Sequence, residues 1–513
     1  MPRLFNRSGR NSQHFATDEV KRDLGGRAVR GGAVMVTAQG LKLVIMTAST
    51  LVLARLLTPQ DYGLVGMVVV VTGFIALFKN LGLSTAMIQK AELTHEQSST
   101  LFWINLLASV AITLITMALA PAVAWFYGEP QLTKITAAFA LGFILSGVGS
   151  NHEALIRRQM RFATLASIEI TSQMIGIVVA IFLAFRGAGV WALVFNQLAY
   201  FTAYSLGLWL FCNWIPGPPV RYSGVRPMLA FGRNLTGYNV LNYFTRNLDN
   251  LLVGKFWGAQ QLGIYSKAYQ LLLLPLEQIG VPLDGIALTS LSRITDAPTR
   301  YRQVFLRMLD KVAMFSMPLI AFMIVTSDWL VRIVLGPQWS EAAAIFAVLG
   351  LVGLFEPVGN AMGWLMISQG RSGDVFRWGL VNSTITVASF LLGLRWGAFG
   401  VAVAFSLIGT FIRFPLLFWF TTRVGPVRMS DIYTAMVVPL LAAGSVLAAI
   451  YGFRYVVVLP PLAGVAASAM IALIVTAIVF LITPKGRTGI SDLKLIIRQL
   501  ISRQTQDQPC SSS

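Results

Sequence analysis

Leu51-Val52-Leu53-Ala54-Arg55, followed by Thr58-Pro59-Gln60-Asp61-Tyr62-Gly63-Leu64, returns two hundred residues later as Leu252-Val253-Gly254-Lys255 followed by Leu262-Gly263-Ile264. In both places an apolar run closes on a cation, a short turn follows, and a glycine sits at the head of the next apolar run. Two more echoes keep the order and nearly the same offset: Gln159-Met160-Arg161 with Gln369-Gly370-Arg371, and Gly189-Val190 with Gly400-Val401. The pattern predicts two pseudo-symmetric six-helix lobes. Because six is even, both lobes cross a membrane in the same sense, as parallel repeats related by an axis along the membrane normal.

The composition requires a membrane. Hydrophobic residues make up 56% of the 513 and charged residues 12%, too little charge to solvate a soluble body of this size. In hydrocarbon each backbone N–H and C=O must be satisfied within its own segment, so apolar runs of about 20 residues read as spanning helices. About fourteen are expected, at 30–57, 61–82, 98–125, 131–156, 163–186, 189–212, 231–254, 261–290, 305–326, 341–368, 375–395, 397–420, 431–451 and 457–483. The fold expected is therefore an all-α polytopic membrane protein. A basic segment 1–29 leads into an N-lobe over 30–212, and a linker over 213–230 precedes a C-lobe over 231–420. An extra helix pair over 431–483 has no counterpart in the repeat and is expected as an appendage useful for lipid tails. A tail over 484–513 is expected to lay an amphipathic helix, with Leu493, Ile496, Ile497, Leu500 and Ile501 on one face, on the inner leaflet.

The formal charge of +19 would point to nucleic acid in a soluble protein, but here the cations are scattered singly through short loops. With a cytoplasmic N-terminus, 27 of the 40 fall in inside segments, 7 in outside turns and 6 within helices. That asymmetry predicts both termini in the cytoplasm. No apolar core with a cleavage site opens the chain, so no removable signal peptide is expected. Cys212 and Cys510 lie far apart on the reducing side and are expected to stay free.

Charges left inside apolar segments need a reason. Asn239, Asn242, Arg246 and Asp249 follow one another by three or four residues and share a helix face, while Gln39, Lys42 and Ser49 hold the repeat-equivalent positions on the first helix. An intramembrane Lys or Arg costs about 2.5–3.5 kcal/mol on insertion scales, so these residues are expected to face a cavity between the lobes. Lys42 has no acid three or four residues away and reads as a ligand contact; Arg246 reads either as a ligand contact or as an ion pair with Asp249 one turn on. Lys267 and Arg413 are further cation candidates, with Glu153, Glu169, Glu277 and Glu356 as carboxylates; Lys79, Lys311 and Asp284 read as anchors that snorkel to the inner surface. No G-x-x-x-x-G-K-[ST] loop is present for ATP. The three histidines His14, His95 and His152 form no metal-ligand spacing, so no metal is expected. No loop is long enough for a glycosyltransferase or polymerase site; the chain reads as a transporter, not an enzyme, and the sequence implies no cofactor.

Leu53-Ala54-Arg55-Leu56-Leu57-Thr58-Pro59-Gln60-Asp61-Tyr62-Gly63-Leu64 and Asn80-Leu81-Gly82-Leu83, with Arg246 to Lys255 and Leu262 to Tyr269, resemble Wzx-type polysaccharide flippases of the colanic-acid or succinoglycan exporter kind. The resemblance covers roughly residues 30 to 480. It implies the multidrug/oligosaccharidyl-lipid/polysaccharide exporter fold, two lobes around a cavity, and an undecaprenyl-diphosphate-linked oligosaccharide moved across a bacterial inner membrane for exopolysaccharide or lipopolysaccharide assembly. Lys42, Arg246, Asn239, Asn242, Asp249, Lys267 and Arg413 would then line the cavity, and Asp249 or Glu356 would couple transport to protons or sodium. Partners implied are membrane lipids, the lipid-linked oligosaccharide, a polysaccharide polymerase and a chain-length regulator. Two rivals share the fold: a lipid II flippase, and a cation-coupled multidrug exporter, which would instead be expected to place unpaired carboxylates deep in its cavity.

Overall fold

A computed structural model describes residues 24–79, 87, 90, 93–220 and 226–487, with side chains described throughout except at 24–33, 35–36, 78, 226–242, 245 and 277–282. The expected amphipathic tail helix, most of the basic N-terminal segment, Cys510, and the side chains of Asn239, Asn242 and Glu277 therefore lie outside the described residues.

Helices follow one another through the chain: α1 (Leu24–Leu56), α2 (Pro59–Lys79), α3 (His95–Tyr127), α4 (Leu132–Arg158), α5 (Phe162–Phe185) and α6 (Val190–Cys212). A helical stretch Arg226–Ser292 is interrupted at Gly258 (φ 79°, ψ 179°), giving α7 (226–257) and α8 (259–292). Then come α9 (Pro298–Val325), α10 (Ser327–Val334), α11 (Ser340–Gly353), α12 (Glu356–Ser368), α13 (Ser372–Gly393), α14 (Gly397–Ile408), a π-turn Gly409–Arg413, α15 (Phe414–Thr422), α16 (Met429–Val456) and α17 (Pro461–Ile482). Among the described residues there is no strand, and ten helices are long and apolar enough to cross a membrane. Their outer faces are apolar, as with Leu107, Leu114 and Ile115 on α3 and Val178, Phe182 and Phe185 on α5, all exposed. Continuous exposed apolar surface of this kind needs lipid, and the chain is a multi-pass membrane protein.

The opening stretch shows why its residues are what they are. The Thr58 hydroxyl accepts the Asp61 N–H (3.2 Å) and the Asp61 carboxylate accepts the Thr58 N–H (2.9 Å), a reciprocal cap for α2, with Pro59 supplying the fixed φ of the first helical residue. Gly63 and Gly263, the repeat-related glycines, lie at one close crossing: a Cβ on Gly63 would stand 1.6 Å from the Ala259 carbonyl oxygen, and one on Gly263 1.8 Å from that of Pro59. No side chain fits at either position.

The chain divides into two compact units, Met1–Gly263 and Ile264–Ser513. In the first, α3 and α4 form a hairpin, α5 pairs with α6, α6 also packs on α4, α1 lies on α5, and α2 rests on α3, α4 and α6. Tyr243 ties α7 to α2: its hydroxyl donates to the Val70 carbonyl (2.8 Å) and occupies the space left by Gly73. In the second unit, α13 pairs with α14, α11 packs on α14 and α9, and α16 runs along α9. Arg302 to Asp431 (Nε–Oδ2 2.7 Å) fastens the starts of α9 and α16, and Arg454 near the end of α16 holds Asp328 at the start of α10 (2.9 and 2.7 Å). The first helix of the extra pair, α16, is thus tied to its unit at both ends.

Helix positions agree with the hydropathy reading within a few residues, and the larger differences have local causes. Residues 298–304, read as loop, begin α9 with Pro298 in its first turn, because Thr-Arg-Tyr-Arg-Gln is helical but polar and invisible to hydropathy. The single run expected over 341–368 is broken at 354–355, where Pro357 lacks an N–H for the preceding turn.

Candidate functional site

Five helices of the first unit bring intramembrane charges together. The Lys42 ammonium of α1 forms an ion pair with the Glu169 carboxylate of α5, with side-chain exposures of 21% and 37%. The expectation that Lys42 stands unpaired is corrected here: its acid comes from another helix, which no i±3 or i±4 search can find. On α4, Arg157 holds Glu153 (2.7 Å), and the stacked rings of Tyr200 and Tyr204 on α6 lie within electrostatic reach of both carboxylates. Lys79, expected to snorkel, instead donates to Ser146 of α4. An apolar groove of about 1010 Å³ runs along α4, α5 and α6, lined by residues such as Ile144, Ile168, Ile175 and Leu206.

On α7 of the same unit, Arg246 is exposed, and among the described residues its guanidinium forms no ion pair. Asp249 is buried and its carboxylate accepts the N–H of Asn250 (2.7 Å). The alternative in which Arg246 serves only to neutralise Asp249 is not the arrangement found. The backbone of α7 carries Asn239 and Asn242 two turns and one turn before Arg246.

The second unit holds a different pair. Arg413 of the π-turn reaches Glu356 at the start of α12 (2.9 Å), and its guanidinium lies over the rings of Phe414 (4.6 Å) and Phe405 (5.1 Å). Both partners stand at helix irregularities: Glu356 precedes Pro357 at an N-terminus, where the helix dipole favours an anion, and the π-turn runs directly into Phe414-Pro415. Lys267 donates to Gln270 (3.0 Å) on α8. Asp284, expected as an anchor, accepts the Trp364 indole N–H (2.7 Å).

The sequence reading also missed how the linker is held. Residues 213–220 pack on the ends of α3 and α4: Trp103 donates to the Gly217 carbonyl (2.8 Å), Ser99 accepts the Gly217 N–H (2.9 Å), and Trp214 is fully buried among Phe102, Leu155 and His152. His152 shares a hydrogen bond with the Trp214 carbonyl (3.1 Å) and lies against Trp209. Trp214 among prolines was the available signal, since an indole in a short polar loop asks for a buried seat.

Known proteins share both the sequence and the fold. The chain is 25% identical over 373 residues to the teichuronic acid biosynthesis protein TuaB of Bacillus subtilis, covering 72% of this chain and 77% of that one. It is 24% identical to the lipopolysaccharide biosynthesis protein WzxC of Escherichia coli (72% and 75% covered) and 22% identical to the succinoglycan biosynthesis transport protein ExoT of Rhizobium meliloti (69% and 71%). Among solved structures, the lipid II flippase MurJ in an inward closed conformation superposes with a TM-score of 0.69 at 12% identity, over 86% of this chain and 97% of that one. An inward-facing multidrug resistance MATE family transporter of the MOP superfamily gives 0.60 at 12% identity, over 76% and 95%. These two show the fold. Residues 52–344, more than half of the chain, match the family described as Polysaccharide biosynthesis protein, and the chain belongs to that family.

Proposed function

We propose that this protein carries an undecaprenyl-diphosphate-linked oligosaccharide repeat unit from the inner to the outer leaflet of a bacterial inner membrane, for assembly into exopolysaccharide or lipopolysaccharide. The observation that carries the reading is the pair of intramembrane cations Lys42 and Arg246, both with access to open space within one unit and neither sealed in a core. A diphosphate bearing sugars cannot enter hydrocarbon unaided, because its charges and hydroxyls would lose water without partners. Lys42 and Arg246 take the diphosphate, Asn239 and Asn242 face sugar hydroxyls, and Lys267 and Arg413 add positive potential. The polyprenyl tail stays in lipid. Alternating access then exposes the headgroup outside, with Asp249 or Glu356 coupling the cycle to protons or sodium.

The topology in this reading is fourteen spans with both termini cytoplasmic. The breaks at Gly258 and Gly397 (φ 79° and 75°) and the 23 residues of α6 supply the crossings beyond the ten that meet the hydropathy criterion. The protein acts as a transporter without chemistry of its own and hands its cargo to a polymerase and a chain-length regulator. A second reading, a lipid II flippase, is favoured by the likeness of fold to MurJ; paired charges at Lys42 and Arg413 weigh against a multidrug exporter. Deleting the gene tests the assignment. Surface polymer should vanish and lipid-linked repeat units should accumulate in the inner leaflet. Rescue of a strain lacking its lipid II flippase, with normal surface polymer in the deletion strain, would move the assignment to cell-wall precursor.

A further inference from the structure

The Lys42–Glu169 pair differs from the Glu153–Arg157 and Glu356–Arg413 pairs in how replaceable its acid is. Glu153 has its own cation in Arg157 on the same helix (2.7 Å), and Arg413 is buried beneath two phenylalanine rings at 8% exposure. Lys42 and Glu169 meet across α1 and α5, and both side chains remain partly open. Three helices pack against α5, and each presents its charged or titratable groups toward this acid: α1 gives Lys42, α4 gives Glu153 and Arg157, and α6 gives Tyr200 and Tyr204. Of these, Lys42 is the cation in direct contact with Glu169.

We infer that Glu169 is a built-in competitor for the anionic headgroup: its carboxylate occupies Lys42 when the site is empty, yields it to the diphosphate, and reclaims it to drive release. This rests on the functional reading above and deepens it. An ammonium that kept a bare cavity would bind a diphosphate tightly and hold it, because two anionic groups in a half-desolvated site attract a cation far more strongly than in water. A carboxylate placed to take the same ammonium lowers that affinity and so permits turnover. A carrier gains nothing from a site its cargo cannot leave.

The test uses the full chain in nanodiscs, with farnesyl diphosphate as probe and farnesol as the uncharged control, and measures Kd at pH 8 alongside a melting curve for each variant. Glu169→Gln keeps the shape of the side chain and removes the competing charge. It should bind farnesyl diphosphate roughly tenfold more tightly than wild type at pH 8, the scale of one charge interaction in a partly solvated site. Lys42→Met should lose binding, and Lys42→Met combined with Glu169→Gln should not recover it. Headgroup transport by Glu169→Gln should be slower despite the tighter binding. A folded Glu169→Gln protein that binds the probe as wild type does, or more weakly, overturns the competitor role while leaving the functional reading standing. Equal affinity of wild type for farnesol and farnesyl diphosphate overturns both.

Discussion

Replacing Gly63 or Gly263 by alanine should damage the protein far more than a methyl group ordinarily does. A Cβ at Gly63 would lie 1.6 Å from the Ala259 carbonyl oxygen, and one at Gly263 1.8 Å from that of Pro59. Carbon and carbonyl oxygen come no closer than about 3.3 Å even in favourable C–H···O contacts. Each alanine must therefore push the two segments apart by roughly 1.5 Å or more on that same contact scale. The obstructing atoms are backbone, which cannot rotate away as a side chain would. Overpacking of this kind costs about 1–3 kcal/mol, and the upper end applies here. The two substitutions share one crossing, so the double variant should fall short of the sum. Gly444→Ala is the control, since its Cβ would meet nothing within 4 Å and alanine is the better helix former. Thermal unfolding of purified protein in detergent, followed by loss of the monodisperse peak, gives the comparison. Equal melting of Gly63→Ala, Gly263→Ala and Gly444→Ala would refute the close crossing and with it the reason both repeats keep glycine there.

Lys42→Ala and Arg246→Ala should each abolish or sharply reduce polymer export while leaving insertion intact, and Arg246→Lys should keep part of it because the charge survives and only the forked geometry is lost; export assays with membrane-fraction blots check this. Glu356→Ala should destabilise the second unit by about 3 kcal/mol, since it leaves the buried Arg413 guanidinium without its acid, whereas Arg413→Met should cost less, because it keeps much of the buried volume and the carboxylate left behind is a third open at 34% exposure; melting curves separate the two. If Glu356 or Asp249 carries the coupling ion, Glu356→Gln or Asp249→Asn should remove the dependence of export on the proton or sodium gradient without abolishing headgroup binding. Reporter fusions at Arg226 and Arg300 should behave as cytoplasmic, as the charge asymmetry of the loops requires; periplasmic signal at either would invert every later crossing.

What the sequence made legible was whatever is periodic or local. Helix positions follow from hydropathy because a spanning helix must be apolar along its length. The repeat-related glycines were visible as a motif, but their reason, a backbone crossing at Gly63 and Gly263, was not, because contacts between segments two hundred residues apart leave no local trace. The same limit hid the partner of Lys42. A search one turn up and down its own helix found no acid, while Glu169 waited on α5. Arg246 and Asp249 show the limit of spacing alone: it left open a one-turn pair or a ligand contact, and Asp249 is buried while Arg246 is exposed, since residues three apart on a helix differ by about 60° in direction and need not share surroundings. The π-turn that presents Arg413 to Glu356 depends on an extra residue in one helical turn, a feature that Pro415 hints at but does not specify.

Reconstitution tests the central claim most directly. The purified protein is placed in proteoliposomes containing a fluorescent lipid-diphosphate-linked oligosaccharide, and the fraction of headgroups reached by a membrane-impermeant quencher is followed over time. Wild-type protein should carry the accessible fraction from about half, set by random incorporation, toward completion, and Arg246→Ala vesicles should stay at the starting plateau like protein-free ones. An unchanged plateau with folded wild-type protein, under both proton and sodium gradients, would contradict the assignment.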